Sequence, residues 1–475
     1  MSPVSAAGVS GSKLGAAVTQ VGTARRSWSV VETARDNGRR LSIAPPPRLL
    51  APGLVEANGE AQVLHCNPAE QFQVMEGFGG ALTESAAWAL SQTTPSQRAE
   101  VLHRYYDPKE GLGYTLARTH INSCDFSLHP WSLVESAGDF ELKSFDLTPM
   151  RKWVLPLLHE AKAIAGDKLR FLASPWSPPA WMKTNDKMIE GGSLRPDCRD
   201  AWARLMARFV TVMCDEEKLP IWAVTVQNEP AAKQVWESCL YTAEEERDFV
   251  RDHLGPALHV AGHAGVKLLV WDHNRDLLVE RAGTIFNDKA AARFVWGAAL
   301  HWYVSEDFSQ SSTLHAMFPD KHILFTEGCW EGGVKLGQWD RGERYARNII
   351  GDLRNWVCGW IDWNMVLDTR GGPNHVGNWC DAPVLVDHET GEVHYQSSFY
   401  YIGHFSRFVL PGARRVASDK PHPGVSSVAF VNPDGSLVIV VLNDTDEAVS
   451  FTLKTDNDAL ACTIPRHAIQ TYVGA

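Results

Sequence analysis

The 475-residue chain is 44% hydrophobic and carries 56 acidic against 45 basic side chains, for a formal net charge of -11. It is long enough to bury one large core and a smaller one, and without clustered Lys and Arg it does not fit nucleic acid as a partner. Its nine cysteines lack any C-x-x-C pair and no apolar run reaches membrane-spanning length, so no disulfide framework, thiolate zinc site or transmembrane segment is expected.

Residues 1–26 are rich in Ala, Gly, Ser and Val and read as a flexible segment without a secretory apolar core. A cytoplasmic location is the expectation, with secretion or periplasmic export the alternative for a chain whose signal peptide has been removed. Residues 27–70 read as extended, with a proline-rich stiff linker at Ile43 to Pro52. Across 71–408 one theme repeats: a short apolar run ending in polar or aromatic residues, then a stretch of helical periodicity. The runs are Val74 to Leu82, Tyr114 to Asn122, Leu169 to Trp176, Ile221 to Glu229, Val266 to Asp272, Val295 to Tyr303, His322 to Glu327 and Val357 to Asn364. Nearly unbroken apolar character, as in FLASPW and IWAVTV, is what a parallel strand covered on both faces requires.

Between the runs lie helix signals. Thr94-Pro95 with Gln97, and Thr242 with Glu245, have the spacing of capping boxes. Eight alternations in this length predict an α/β fold, a (β/α)8 TIM barrel. A doubly wound open sheet would need a Gly-rich phosphate turn after its first strand, and none follows. Over 409–475 the texture changes to alternating runs around Asn432-Pro433-Asp434-Gly435, a hairpin signal. These strands and the extended segment at 27–70 predict an additional β-sandwich domain formed by the N- and C-terminal segments.

In such a barrel the strand ends converge on one face. Two acids close strongly apolar runs there: Glu229 in WAVTVQNEP on the fourth strand and Glu327 in ILFTEGCW on the seventh. Strands so placed let two carboxylates face one another across a ligand, the geometry that cleavage of a glycoside with retention needs, at roughly 5 to 5.5 Å. A salt bridge or helix cap is the plainer reading of either acid alone.

Eight segments, in order, carry a more specific signal: GFGGALTES from Gly77, SCDFS from Ser123, ASPWSPPAWMKTN from Ala173, QNEP from Gln227, HWY from His301, TEGCW from Thr326, DWN from Asp362 and GGPN from Gly371. Together they resemble glycoside hydrolase family 30, in its glucosylceramidase and β-1,6-glucanase branches. The resemblance implies a retaining enzyme acting on β-linked glucosides, with Glu229 as acid/base and Glu327 as nucleophile. Burial and the charge of Glu327 are expected to raise the Glu229 pKa. The resemblance also implies a sugar pocket lined by Asp125, Trp176, Trp363 and Asn378, with Trp302 of the HWY segment among them. Asn228 is placed to reach the sugar 2-hydroxyl and Tyr303 to donate to Glu327. Arg118 has two readings, holding that carboxylate ionised or bracing the barrel. Trp236 and Glu237 lie in a run similar to the β-1,6-glucanase branch; they bind a second sugar or pack at a helix entry. After Arg118, Thr119-His120 departs from mammalian-type members, which have a proline nearby.

No cofactor and no metal are implied, since no second His stands at ligand spacing from His301. The expected partner is a β-glucoside substrate, a glycolipid or a glucan, and the sequence leaves the oligomeric state open. Three alternatives remain: a β-xylosidase of the same family, a metal-dependent barrel hydrolase recruiting Asp272, His273, His301 and Glu327, and a non-catalytic carbohydrate-binding protein.

Overall fold

The computed structural model describes residues 25–51, 62–420 and 422–475. Most of the expected flexible segment at 1–26, and part of the extended stretch at 27–70, therefore lie outside the described residues.

Eight parallel strands close a barrel: β1 (Gly77–Ala81), β2 (Leu116–Ile121), β3 (Arg170–Pro175), β4 (Ile221–Thr225), β5 (Lys267–Asn274), β6 (Val295–His301), β7 (His322–Glu327) and β8 (Val357–Asn364). Each pairs with its neighbour in sequence, and β8 returns to β1 through Gly359↔Gly77 and Ile361↔Gly79. On its other side β1 lies close against β2: a Cβ on Gly79 would stand 1.8 Å from the Leu116 carbonyl oxygen, so only glycine fits. Both expected capping boxes form, at Thr94–Gln97 and Thr242–Glu245, each satisfying two backbone donors at a helix start.

The barrel interior changes character along the strands. Leu116, Leu172, Ala223, Ala299 and Leu324 form an apolar layer closed below by Trp222 and Trp296. Two residues further on, at the next inward position of each strand, stand Arg118, Ser174, Thr225, His301 and Thr326. One step of the pleat thus converts a sealed floor into a polar platform.

The second body is a ten-stranded, curled sheet. Trp28–Ala34 lies between Ser42–Ala44 and the final strand, Ala468–Gly474, which in turn pairs with Leu437–Asn443. Val63–Val74 joins the two halves of the sheet, pairing with Arg414–Ser418 on one side and Val449–Lys454 on the other. The proline-rich stretch expected as a linker contributes two short edge strands, Ser42–Ala44 and Arg48–Leu49, the positions where proline is tolerated in a sheet. Helix Ser397–Ser406 locks the sandwich to the barrel. His404 there, kept neutral by burial that pulls its pKa down to about 3, meets Thr471 at 2.8 Å and Thr33 at 2.9 Å. A three-stranded sheet (Val366–Asp368, Val384–Val386, Val393–Tyr395) follows β8.

Candidate active site

A cavity of about 180 Å3 opens at the C-terminal ends of the strands. Glu229, from the turn after β4, and Glu327, the last residue of β7, both line it. A carboxylate oxygen of each, together with a ring nitrogen of His301, lies within 4.8 Å of the others. Glu229 is held with φ at +48°, a left-handed conformation that costs a non-glycine residue energy, and its amide donates to the Asp272 carbonyl at 3.0 Å.

Beneath the carboxylates Arg118 uses its whole guanidinium. Nε donates to Ser174 Oγ at 3.1 Å, one Nη to Glu327, and the other to Asn228 Oδ1 at 2.8 Å and Asp272 Oδ2 at 2.9 Å. Because the Asn228 oxygen faces Arg118, its NH2 is left for the cavity. Tyr303 Oη donates to the other Glu327 oxygen at 2.9 Å. Asp272 also accepts from Thr225 and Thr326, so the platform residues converge on this one buried anion. Burial opposes its ionisation, but Arg118, His301 and Thr326 hold its pKa well below the usual carboxylate range.

The protonation order differs from the sequence expectation. Burial works to raise Glu229, yet the hydrogen bond from His301 and the charges of His273 and His301 outweigh it and hold this carboxyl below the ordinary glutamate value. Burial, with the charges of Glu229 and Asp272, pushes Glu327 up against the pull of His301 and Arg118. The unforeseen agent is His301: burial disfavours its charge, but Glu327, Asp272 and Glu229 together keep it protonated up to about 9. Its Nδ1 faces Glu229 at 3.3 Å and its Nε2 faces Asp272 at 3.1 Å. Both nitrogens are then donors.

The other expected pocket residues divide. Asp125, Trp176, Asn228, Trp363, Asn378 and Trp236 line the cavity. Trp176 and Trp363 stack on each other at 5.1 Å, with Arg118 under both rings. Asp125 accepts from Asn374 and Asn378, and burial, then Glu327 and Glu237, push its pKa up to about 8. Trp302 and Glu237 are not on the cavity wall. His301 and Tyr303 turn inward, so Trp302 between them turns outward, donating to the Cys329 carbonyl and packing on Trp360 and Tyr345. Glu237 is 1% exposed and sits behind the wall. Gln234, His273, Asn274, Glu331, Cys329 and Cys380 also line the cavity and were not anticipated as a group. His273 and Asn274 end β5, and the other four come from loops, where periodicity gives no signal.

Two facing carboxylates at the mouth of a parallel barrel, above a platform that orients them, define a glycoside hydrolase. Comparison with known proteins makes the class specific. Residues 75–409 match the glycosyl hydrolase family 30 TIM-barrel domain and residues 412–472 the glycosyl hydrolase family 30 beta sandwich domain. The chain is 36% identical over 468 residues to the lysosomal acid glucosylceramidase of Mus musculus, covering 94% of this chain and 89% of the relative. It is 28% identical over 425 residues to an endo-1,6-beta-D-glucanase of Neurospora crassa, covering 86% of each. The crystal structure of SrfJ from Salmonella typhimurium superposes with a TM-score of 0.89 at 33% identity, covering 94% of this chain and 99% of that one. This chain belongs to glycosyl hydrolase family 30.

Proposed function

We propose that the protein hydrolyses β-linked glucosides with retention of configuration, by double displacement. The observation that carries this reading is the approach of Glu229 and Glu327 within 4.8 Å across one cavity, the separation of a nucleophile from its acid partner rather than the wider gap of inverting enzymes. Glu327 bonds to C1 while Glu229 gives its proton to the departing oxygen; Glu229 then takes a proton from the water that releases the sugar. Tyr303 and Arg118 aim the nucleophile, and the Asn228 NH2 meets the 2-hydroxyl. In the free site the proton rests on His301. Burial beneath a bound sugar favours its passage along the 3.3 Å contact to Glu229, which gives the acid that the first step requires.

The group on the leaving side is a glycolipid in the reading favoured by the mouth of the cavity. Val235, Val304 and Trp379 are 63%, 61% and 38% exposed, and each adjoins a cavity-lining residue in sequence. Such a rim suits an apolar tail, and the 36% identical relative is named a glucosylceramidase. A β-1,6-glucan is the second reading, supported by the polar side chains of Gln234, His273 and Glu331 lining the cavity. All nine cysteines are free, which suits a reducing compartment and supports residence in the cytoplasm.

A fluorescent glucosylceramide, a β-1,6-glucan, gentiobiose, an aryl β-xyloside and an aryl β-glucoside assayed side by side test the proposal. A β-glucoside is turned over and the first product, followed by NMR, keeps the β configuration; an α product removes Glu327 as nucleophile. Preference for the glucan over the lipid would reverse the order of the two readings.

A further inference from the structure

Behind the sugar-facing wall lies a buried ion pair that the chemistry above does not use. Glu237, from the loop after β4, and His375, from the loop after β8, face each other at 3.2 Å, with side chains 0% and 9% exposed. The contact is one of opposite charges. Its remaining bonds tie in a third loop, the one after β2. Ser123 Oγ donates to Glu237 Oε1 at 2.5 Å, and His375 Nδ1 donates to the Ser127 carbonyl at 3.1 Å. Both histidine nitrogens thus face acceptors, which calls for an imidazolium.

The pair sits against the residues that read hydroxyl groups. Asp125 lies between Ser123 and Ser127, and its carbonyl accepts from the His375 amide at 3.4 Å. Asn374, next to His375, donates to Asp125 Oδ2 at 3.2 Å, and Asn378 does so at 3.4 Å. We propose that His375 and Glu237 are positioning residues for substrate specificity: their ion pair holds three loops together and balances charge, so that Asp125 can still give up its proton and accept from sugar hydroxyls. This rests on the reading of Asp125 as a sugar contact.

The electrostatics are asymmetric. Asp125 shares its surroundings with Glu327 and Glu237, both of which disfavour its charge, while His375 favours it. Lys183, a further cation near Glu237, donates to the carbonyls of Met188 and Ser238, and burial pulls its amine down to about 8, so it is a weak substitute. Removing His375 leaves Glu237 uncompensated behind Asp125, whose pKa then rises further above about 8, so that it keeps its proton and stops accepting. Removing Glu237 takes away a like charge and lets Asp125 ionise more readily. A pair that served only packing would be harmed from either side.

The test is steady-state kinetics on an aryl β-glucoside at about pH 8, where Asp125 of the wild type is partly ionised. His375→Gln should raise KM by about tenfold with kcat within about twofold, Glu237→Gln should leave KM within about twofold, and the double variant should recover most of the loss. Equal damage from both single variants, or no recovery in the double variant, overturns the charge-balance role. Should His375→Gln fail to fold, Glu237→Gln and the double variant still decide, since a raised KM in either contradicts the proposal. Asp125→Asn separates the two levels: if it leaves KM unchanged, the reading of Asp125 as a sugar contact fails. If it raises KM while His375→Gln does not, only the ion-pair proposal fails.

Discussion

Arg118 and Arg275 are both fully buried and both face carboxylates, yet their surroundings have little in common. Arg275 meets one anion, Asp352, through both of its oxygens at 3.0 and 3.1 Å, and adds Asn348 and the Ser305 carbonyl. Trp360 donates to the same aspartate and Phe308 lies against the guanidinium, so charge is matched one to one inside packed material. Around Arg118 stand Asp272 and Glu327, with Glu229 beyond and His301 to add positive charge, and the group opens on a cavity. A buried arginine–carboxylate pair is therefore not in itself a sign of chemistry. The sign is unbalanced charge beside open space, where a carboxyl is crowded rather than satisfied.

The sharpest way to break this comparison is to neutralise one member of each group. Glu327→Gln should lower kcat by on the order of 10⁴-fold or more, because the proposed nucleophile is lost. Its melting temperature should hold or rise, since the substitution relieves carboxylate crowding. A variant that unfolds instead would make Glu327 a structural residue like Asp352. Asp352→Ala should show the opposite pattern, leaving Arg275 unpaired at a cost of about 3–5 kcal/mol in urea unfolding while the folded enzyme keeps its kcat. A large loss of kcat without loss of stability would erase the distinction between the two clusters.

A smaller effect sharpens it through pH. His301 keeps its proton in the folded site up to about 9, above the ordinary 6.5. A raised histidine pKa contributes stability that is complete below the unfolded value and disappears as pH rises through the folded one, so the window runs from 6.5 to about 9. Asp352, pushed by burial up to about 6, titrates below this window. Thermal melts of the wild type and His301→Gln should diverge at the acid end of the window and converge at its alkaline end. A gap that does not change with pH would mean that His301 is neutral in the folded protein.

The barrel was legible because strands covered on both faces must be apolar almost throughout, and each of the eight apolar runs contains a barrel strand except that β5 continues two residues past its run, to Asn274. Glu229 and Glu327 stood out for the same reason, as acids closing such runs. Direction was harder to read than position. Trp302 adjoins two inward residues, and a single step of alternation sends it to the opposite side. Glu237 and His375 are 138 positions apart, and no local pattern reveals that the loops carrying them meet. His301 was visible as a strand-end residue, but its charge depends on three carboxylates from three other strands or their adjoining turns. The three-residue strands after β8 were missed because so short a run shows no period.

The pairing of Trp28–Ala34 with Ala468–Gly474 has a temporal side. The Trp28 indole donates to Asp458, 430 residues downstream, so the early strand emerges from the ribosome with its partners not yet made. At about 5–20 residues per second it waits roughly 20 to 90 seconds, ample time for the barrel to close first. An apolar strand left exposed for that interval needs a chaperone or a quick final stretch of synthesis, and pausing late in translation should harm yield more than pausing within the barrel.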